Sequence, residues 1–338
     1  MYVVTGAFGF IGSNVVRALN ERGVREILVV DELAATDRAR NISDCQVADI
    51  VDTRDFLKAL ASGRFGSTLK TIIHKGVCSD TMEQDRRYMM ENNYEYSKSL
   101  LRFCQQQKIP FIYASSGAVY GLKDGFQETP EHEAPLNIYA YSKALFDQDV
   151  RQLLPDRTAQ VVGLRYFNVY GPGEEYKGST ASVAFHFFNQ YCRAGRVRLF
   201  RGSGGYADGE QRRDFVSVQD AVDVNLFFLD HPDKCGIFNV GTGQARSFND
   251  MAAAVINSVR GLQGEGPLAL EQLQSEGDIE YIDLPDGLAE QYQSFTQADI
   301  RALRSVGFER PFVSLEQGVQ RYVETLFRDR ARQRVQES

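Results

Sequence analysis

Val3-Val4-Thr5-Gly6-Ala7-Phe8-Gly9-Phe10-Ile11-Gly12-Ser13-Asn14 is the stretch whose reading decides the fold. Two β-branched residues run into three glycines, and Ile11, Val15, Val16 and Leu19 follow at helical spacing. The pattern reads strand, tight turn, helix. Gly6 permits the turn, Gly9 lets a pyrophosphate approach the backbone, and Gly12 lets the helix sit close on the strand. A helix N-terminus offers N–H groups and partial positive charge to phosphate. The spacing is G-x-x-G-x-x-G, so context carries the reading. The next apolar run, Ile27-Leu28-Val29-Val30, ends in Asp31, an acid where dinucleotide folds hold a ribose hydroxyl.

Strand and helix patterns alternate outward from there. Thr71–His74, Pro110–Ala114 and Gln160–Leu164 read as buried strands; Asp55–Leu60, Asn93–Gln106 and Tyr139–Leu154 read as helices. Repeated βα units predict an α/β fold: a Rossmann-type, doubly wound parallel sheet. Ligands bind outside the carboxyl ends of its strands. After about residue 170 the pattern loosens into loops and short elements. Residues 1–170 are therefore expected to form the NAD(P)-binding domain, with core segments returning near 213–243. Residues 171–338 are expected to be mainly a smaller, discontinuous α/β lobe that closes over substrate. Gly261–Gly277 reads as a surface loop or linker.

Composition narrows the function classes. The chain has 338 residues, 43% apolar and 25% charged, as in globular proteins that bury a full core. A net charge of −7 and no basic field exclude a nucleic-acid surface. No apolar run reaches the roughly 18 residues of a membrane span. No cleavable leader is expected, since core-strand residues begin at once. Five scattered cysteines predict reduced thiols and a cytoplasmic protein, and the four histidines show no metal-ligand spacing.

Tyr139-Ala140-Tyr141-Ser142-Lys143 places Tyr139 and Lys143 on one helix face. A phenol titrates near pH 10 and is a poor base at neutrality; a neighbouring ammonium is expected to lower that value. Lys143 is also placed to hold a cofactor ribose. Ser115-Ser116, after the Phe111–Ala114 run, supplies a hydroxyl for the same oxygen.

With the Gly loop, Ser115-Ser116-Gly117-Ala118-Val119-Tyr120-Gly121, Tyr139-x-x-x-Lys143 and Arg165-Tyr166-Phe167-Asn168-Val169-Tyr170-Gly171-Pro172 on the page, the chain resembles the extended short-chain dehydrogenase/reductase superfamily. Arg212–Val216 and Phe238–Gly243 resemble its nucleotide-sugar branch. Tyr88–Tyr94, Lys177–His186 and Gln291–Asp299 are similar to the family of ADP-heptose 6-epimerases. That resemblance implies inversion at carbon 6 of an ADP-heptose, in bacterial lipopolysaccharide inner-core precursor synthesis, by reversible hydride transfer to tightly bound NADP, with NAD as the alternative. It implies Tyr139 and Lys177 as acid–base residues, with Ser116 polarising the oxygen. Cofactor contacts carry over as Gly6, Gly9, Phe10, Ile11, Gly12, Asp31, Glu32, Arg38, Lys75, Gly76, Val77, Cys78, Ser79, Asn92, Lys143 and Val169. Substrate contacts carry over as Asn168, Ser179, His186, Phe200, Arg201, Gly202, Ser203, Arg213 and Tyr292. The guanidinium of Arg213 suits a diphosphate. The family resemblance also suggests a homopentamer.

The chain departs from the family pattern in places. Phe8 puts a bulky ring in the glycine turn, where it is expected beside the pyrophosphate. Glu32 adds a second acid that repels a 2′-phosphate, against which Arg38 is the balancing base. Lys75 stands where an uncharged or acidic residue is usual. Gly204–Gln211 and Gly261–Gly277 are longer than the family needs. Another nucleotide-sugar epimerase, of the UDP-hexose 4-epimerase type, is the nearest alternative. Gly117-Ala118 lacks the acid–base pair of a dehydratase. A non-catalytic NAD(P)-sensing protein is the alternative of another class, and the Tyr139/Lys143 pair argues against it.

Overall fold

The computed structural model describes residues 1–76, 78, 83, 85–285 and 293–337, with side chains through residue 332. The strands are β1 Tyr2–Thr5, β2 Ile27–Asp31, β3 Asp49–Asp52, β4 Thr71–His74, β5 Phe111–Ser116, β6 Val161–Tyr166, β7 Asn168–Tyr170, β8 Val197–Phe200, β9 Arg212–Ser217, β10 Gly236–Val240, β11 Ala245–Ser247 and β12 Ile279–Ile282. The longer helices are α1 Phe10–Glu21, α2 Thr53–Ala61, α3 Tyr96–Gln107, α4 Ile138–Leu153, α5 Val183–Ala194, α6 Val218–Asp230, α7 Phe248–Leu262 and α8 Leu315–Glu337. The chain divides into two compact units. The first is Met1–Tyr166, Ala221–Val240 and Asp299–Glu309; the second is Phe167–Asp220, Gly241–Ala298 and Arg310–Ser338.

The first unit holds a seven-stranded sheet in the order β10-β6-β5-β4-β1-β2-β3. Every pairing in it is parallel. Parallel strands joined by helices are covered on both faces, which is why β1, β2 and β4 are apolar runs without polar alternation. Successive side chains take opposite sides. Val3, Leu28 and Ile72 join Phe56, Leu100 and Phe146 in one core. Val4, Val29 and Ile73 join Val15, Leu19 and Leu226 in the other. The strand order reverses between β1 and β4, and the carboxyl ends there form the crevice where such sheets take ligands.

The second unit has a three-stranded sheet, β11-β9-β7, and a two-stranded parallel one, β12-β8. Its core is built from Phe187, Phe188, Leu199, Val255, Val259, Val319 and Tyr322. Of the expected returning stretch 213–243, Ala221–Val240 does return to the first unit, through β10 beside β6. Arg212–Ser217 instead pairs within the second unit, with β7 and β11. The division falls after Tyr166 rather than at 170, and Asp299–Glu309 also rejoins the first unit. Gly261–Gly277 is only partly loop. α7 runs on to Leu262, and Leu270–Ser275 is a helical turn held by fully buried Leu273. Among the described residues no helix is long and apolar enough to cross a membrane, and none of the five cysteines is in a disulfide.

One buried polar cluster ties α4 to the sheet. Asp147 accepts from the Tyr113 hydroxyl, the Ser115 hydroxyl and Arg165 Nε, each at 2.8 Å. Both charged side chains are fully buried, and Arg165 also pairs with Glu133 and the Tyr120 hydroxyl. Removing one partner of such a pair strands the other charge, which costs about 3–5 kcal/mol. Asp147→Ala is therefore expected to lose that much stability in urea denaturation, whereas a loss under about 1 kcal/mol contradicts the pairing.

Candidate active site

The glycine turn is shaped by close backbone approach. Gly6 has φ +64°, and a Cβ there would lie 2.5 Å from the Gly76 nitrogen. A Cβ on Gly12 would lie 2.0 Å from the Gly6 carbonyl oxygen. Gly9 caps α1 in extended conformation without a side chain. The first-turn amides of Phe10, Ile11 and Gly12 have no carbonyl four residues back within the helix. Phe8 does not stand beside this turn as expected. Its ring is buried among Val15, Leu19, Val29 and Ile42, because the turn carries residue 8 over the core.

Gly76 is fixed from behind by a hydrogen-bonded chain. Ser97 Oγ donates to the Asn93 carbonyl at 2.6 Å, so it accepts from His74 Nε2 at 2.8 Å. His74 Nδ1 then accepts from Thr5 Oγ1 at 2.6 Å, and Thr5 Oγ1 accepts from Gly76 N–H at 3.0 Å. Burial holds His74 well below the usual histidine range, with Lys143 and Lys75 adding to the shift, so the ring is neutral as this chain requires. His74 is thus a structural residue, and no cluster of metal-ligating side chains occurs among the described residues.

Asp31 is buried at the end of β2. Its carboxylate accepts from Phe8 N–H at 2.7 Å and Glu32 N–H at 2.8 Å. Burial raises its pKa, and those hydrogen bonds offset the rise. Arg38 pairs with Glu32 at 3.0 Å and stands 3.9 Å from Asp31, so the second acid already engages the base expected to balance it. Asn92 lies in a π-helical turn, Met90–Glu95, and donates to the Tyr88 carbonyl at 3.0 Å. Its neighbour Asn93, on which the sequence is silent, exchanges two 2.8 Å hydrogen bonds with the Cys78 backbone. Val77, Ser79 and Tyr292 lie outside the described residues.

Ser116, Tyr139, Lys143 and Lys75 gather at the carboxyl ends of β4, β5 and β6. Asn137 caps α4 by accepting from Ala140 N–H at 2.8 Å, which sets Tyr139 in the first turn. The Ser116 hydroxyl lies close enough to Tyr139 to act on its phenol. Lys143 Nζ donates to the Ala114 carbonyl at 2.8 Å and lies 5.9 Å from the Tyr139 ring centre. Burial pushes the Lys143 amine down to about 7. The Tyr139 phenol is raised, by burial first, with the Ser116 hydroxyl opposing. This reverses the expected lowering, because burial of the phenol outweighs the hydroxyl that opposes it. The Lys75 amine is buried, has no hydrogen-bond partner among the described residues, and lies 5.1 Å from the Tyr166 ring centre. An orphaned amine beside a glycine cradle suits a phosphate-rich dinucleotide.

In the second unit, Asn168 and Val169 stand on β7, with Asn168 opposite Phe215 of β9. Lys177 lies in the 3₁₀ turn Glu175–Thr180. Burial lowers its pKa and Glu174 raises it. His186 Nε2 is 3.3 Å from the Ser179 carbonyl, so these two expected contacts meet. Phe200 ends β8, and the loop after it is braced by buried Gln211, which donates to the Arg201 carbonyl and to Ser203 Oγ. Gly202 N–H donates to Asp208 at 2.7 Å. Arg213 on β9 is buried, with its guanidinium 5.6 Å from the Phe248 ring centre. The adjoining Asp214, equally silent in the sequence, accepts from Thr242 N–H and Oγ1, Gly243 N–H and Ala298 N–H.

The model of the NAD dependent epimerase/dehydratase family matches residues 2–241. The ADP-L-glycero-D-manno-heptose-6-epimerase of Thiobacillus denitrificans is 55% identical over 324 residues, 96% of this chain and 98% of that protein. Among solved structures, Helicobacter pylori ADP-L-glycero-D-manno-heptose-6-epimerase is similar with a TM-score of 0.79, 27% identity and 96% of each chain covered. Thermus thermophilus UDP-glucose 4-epimerase, in complex with NAD, has a TM-score of 0.73 and 26% identity, over 96% of this chain and 97% of that one. The chain belongs to the NAD-dependent epimerase/dehydratase family.

Proposed function

We propose that this chain converts ADP-D-glycero-D-manno-heptose to its L-glycero epimer, using a bound nicotinamide dinucleotide that is not consumed. The carrying observation is the cluster of Ser116, Tyr139 and Lys143 at the strand ends beside a phosphate-shaped glycine turn. The end-to-end likeness to a heptose epimerase chooses the substrate. The dinucleotide, when bound, supplies a reversible hydride acceptor. Gly6, Gly9, Gly12 and Gly76 would cradle its phosphates, Asp31 a ribose hydroxyl, and Lys143 the other ribose. NADP is the cofactor favoured, with Arg38 shared between its 2′-phosphate and Glu32; NAD is the alternative.

The chain's own residues handle the protons. Oxidation of the carbon-6 hydroxyl releases a proton with the hydride, and reduction needs a proton back. Ser116 donates a hydrogen bond to the reacting oxygen and Tyr139 moves its proton. Inversion exchanges the faces of the ketone, which two acid–base groups on opposite sides serve better than one, and the family resemblance supplies Lys177 as the second. Arg213 pairs with the diphosphate, and Asn168, Ser179, His186, Phe200, Arg201, Gly202, Ser203 and Tyr292 complete the sugar-nucleotide contacts. A cytoplasmic homo-oligomer, a pentamer on the family resemblance, serving lipopolysaccharide precursor synthesis completes this reading.

Nuclear magnetic resonance of the purified protein with ADP-D-glycero-D-manno-heptose is expected to show the L-glycero epimer without added cofactor. Tyr139→Phe and Lys177→Met are each expected to slow it by about a hundredfold or more. Turnover of UDP-galactose instead, with none of the heptose, contradicts the substrate. Lys75 gives a second test. Burial, with Lys143, holds its amine well below the usual lysine range, while the unfolded chain keeps the proton up to about pH 10.4. Between those values the unfolded state binds more protons, so stability rises with pH. In protein freed of dinucleotide, Lys75→Met is expected to flatten that rise in thermal unfolding from about pH 7 to about pH 9.5; in the purified holoprotein it is expected to release dinucleotide more readily on dialysis. An unchanged slope contradicts the buried amine.

A further inference from the structure

Glu174 is a fully buried carboxylate in the second unit that the proposed chemistry does not use. Three donors converge on its two oxygens. Gly171 N–H reaches Oε1 at 3.2 Å, Ser182 Oγ reaches Oε1 at 2.7 Å, and Ser182 N–H reaches Oε2 at 2.5 Å. The Glu174 carbonyl accepts from Lys177 N–H at 2.9 Å. Ser182 is in turn the N-cap of α5, its hydroxyl accepting from Phe185 N–H. One carboxylate therefore joins both ends of the segment from Gly171 to Ser182, and Lys177 sits between them. Gly178, next to Lys177, has φ +55°, and a Cβ there would meet nothing within 4 Å, so conformation and not space requires glycine.

We propose that Glu174 is a positioning residue for Lys177: its buried carboxylate closes the 171–182 segment on itself and fixes the turn that carries the lysine. This rests on the reading of Lys177 as an acid–base residue. A carboxylate suits the place because both oxygens accept; a carboxamide would turn an NH₂ toward one of the three donors. The same negative charge acts on the lysine. It favours the ammonium, against burial, which disfavours it. The other titratable groups around Glu174 are Glu175, on the same turn, and Tyr322 of α8; Asp329 of α8 faces Glu175. These groups are negative or neutral; Arg321 of α8 acts on Tyr170, at the head of the segment.

The test compares the parent holoenzyme with Glu174→Gln, Glu174→Asp and Ser182→Ala. Two readouts are used: kcat and KM for the ADP-heptose, and the pH dependence of Lys177 acetylation by acetic anhydride, followed by mass spectrometry. Glu174→Gln is expected to lower kcat about tenfold or more with KM little changed, and to move the Lys177 labelling midpoint to lower pH, since a favourable charge is gone. Glu174→Asp and Ser182→Ala keep the charge but disturb the clamp. They are expected to lower kcat and leave the midpoint near the parent's, and they decide the matter if Glu174→Gln does not fold. Parent-like kcat in Glu174→Asp and Ser182→Ala, or an unmoved midpoint in a folded Glu174→Gln, overturns the proposal. If Lys177→Met keeps full turnover, the acid–base reading of Lys177 fails, while the labelling midpoint still reports whether Glu174 holds the lysine.

Discussion

The carboxylate of Asp147 is the point on which the first unit's chemistry depends. It sits on α4 one turn beyond Lys143 and takes hydrogen bonds from Tyr113 and Ser115 of β5 and from Arg165 of β6. A helix bearing Tyr139 and Lys143 is thereby locked to the strand ends that bear Ser116 and Ala114. Apolar packing of Phe146 and Val150 would bring the helix to the sheet; it would not set the helix's position along the strands to within a hydrogen-bond length. The buried ion pair supplies that direction, at the desolvation cost that buried charges carry.

The neighbouring charges follow a different rule. Lys75 and Lys143 are two buried amines at one sheet edge, each held below its ordinary pKa chiefly by burial. Lys143 has a carbonyl partner and Lys75 has none among the described residues. Such an arrangement is unfavourable for the protein alone and becomes favourable when an anionic ligand enters, so binding energy and site electrostatics are linked. The Tyr139 phenol is likewise raised by its own burial, which outweighs the lowering by Ser116.

Local patterns are legible in the sequence, and distant partnerships are not. The glycine turn, the Asp31 strand end and the Tyr139/Lys143 helix face are written in spacings of a few residues, and the structure places each on the element expected. β3 escapes a sequence reading because Asp49 and Asp52 bracket only Ile50 and Val51, too short a run to show periodicity. The helical turn at Leu270–Ser275 is hidden by flanking glycines. Phe8 lies elsewhere than expected because spacing does not say which side of a turn faces the core. Asn93, Asp147 and Asp214 are silent because their partners lie up to 84 residues away; Glu174 is silent although its partners are within eight residues, because a single buried polar residue carries no mark of what it will bind. The expectation that core segments return near 213–243 holds for Ala221–Val240 and not for residues 213–217, which pair with β7 and β11, for a related reason: apolar strands look alike whichever sheet they join.

In the proposed reaction the hydride removed from carbon 6 returns to the same carbon within one protein molecule. The direct measurement uses ADP-D-glycero-D-manno-heptose carrying deuterium at carbon 6, turned over in ordinary water, with mass spectrometry of the L-glycero product. The product is expected to keep the deuterium in full, and unlabelled substrate to take up none in deuterated water. Washout of the label into solvent, or into added unlabelled NADPH, would contradict that return.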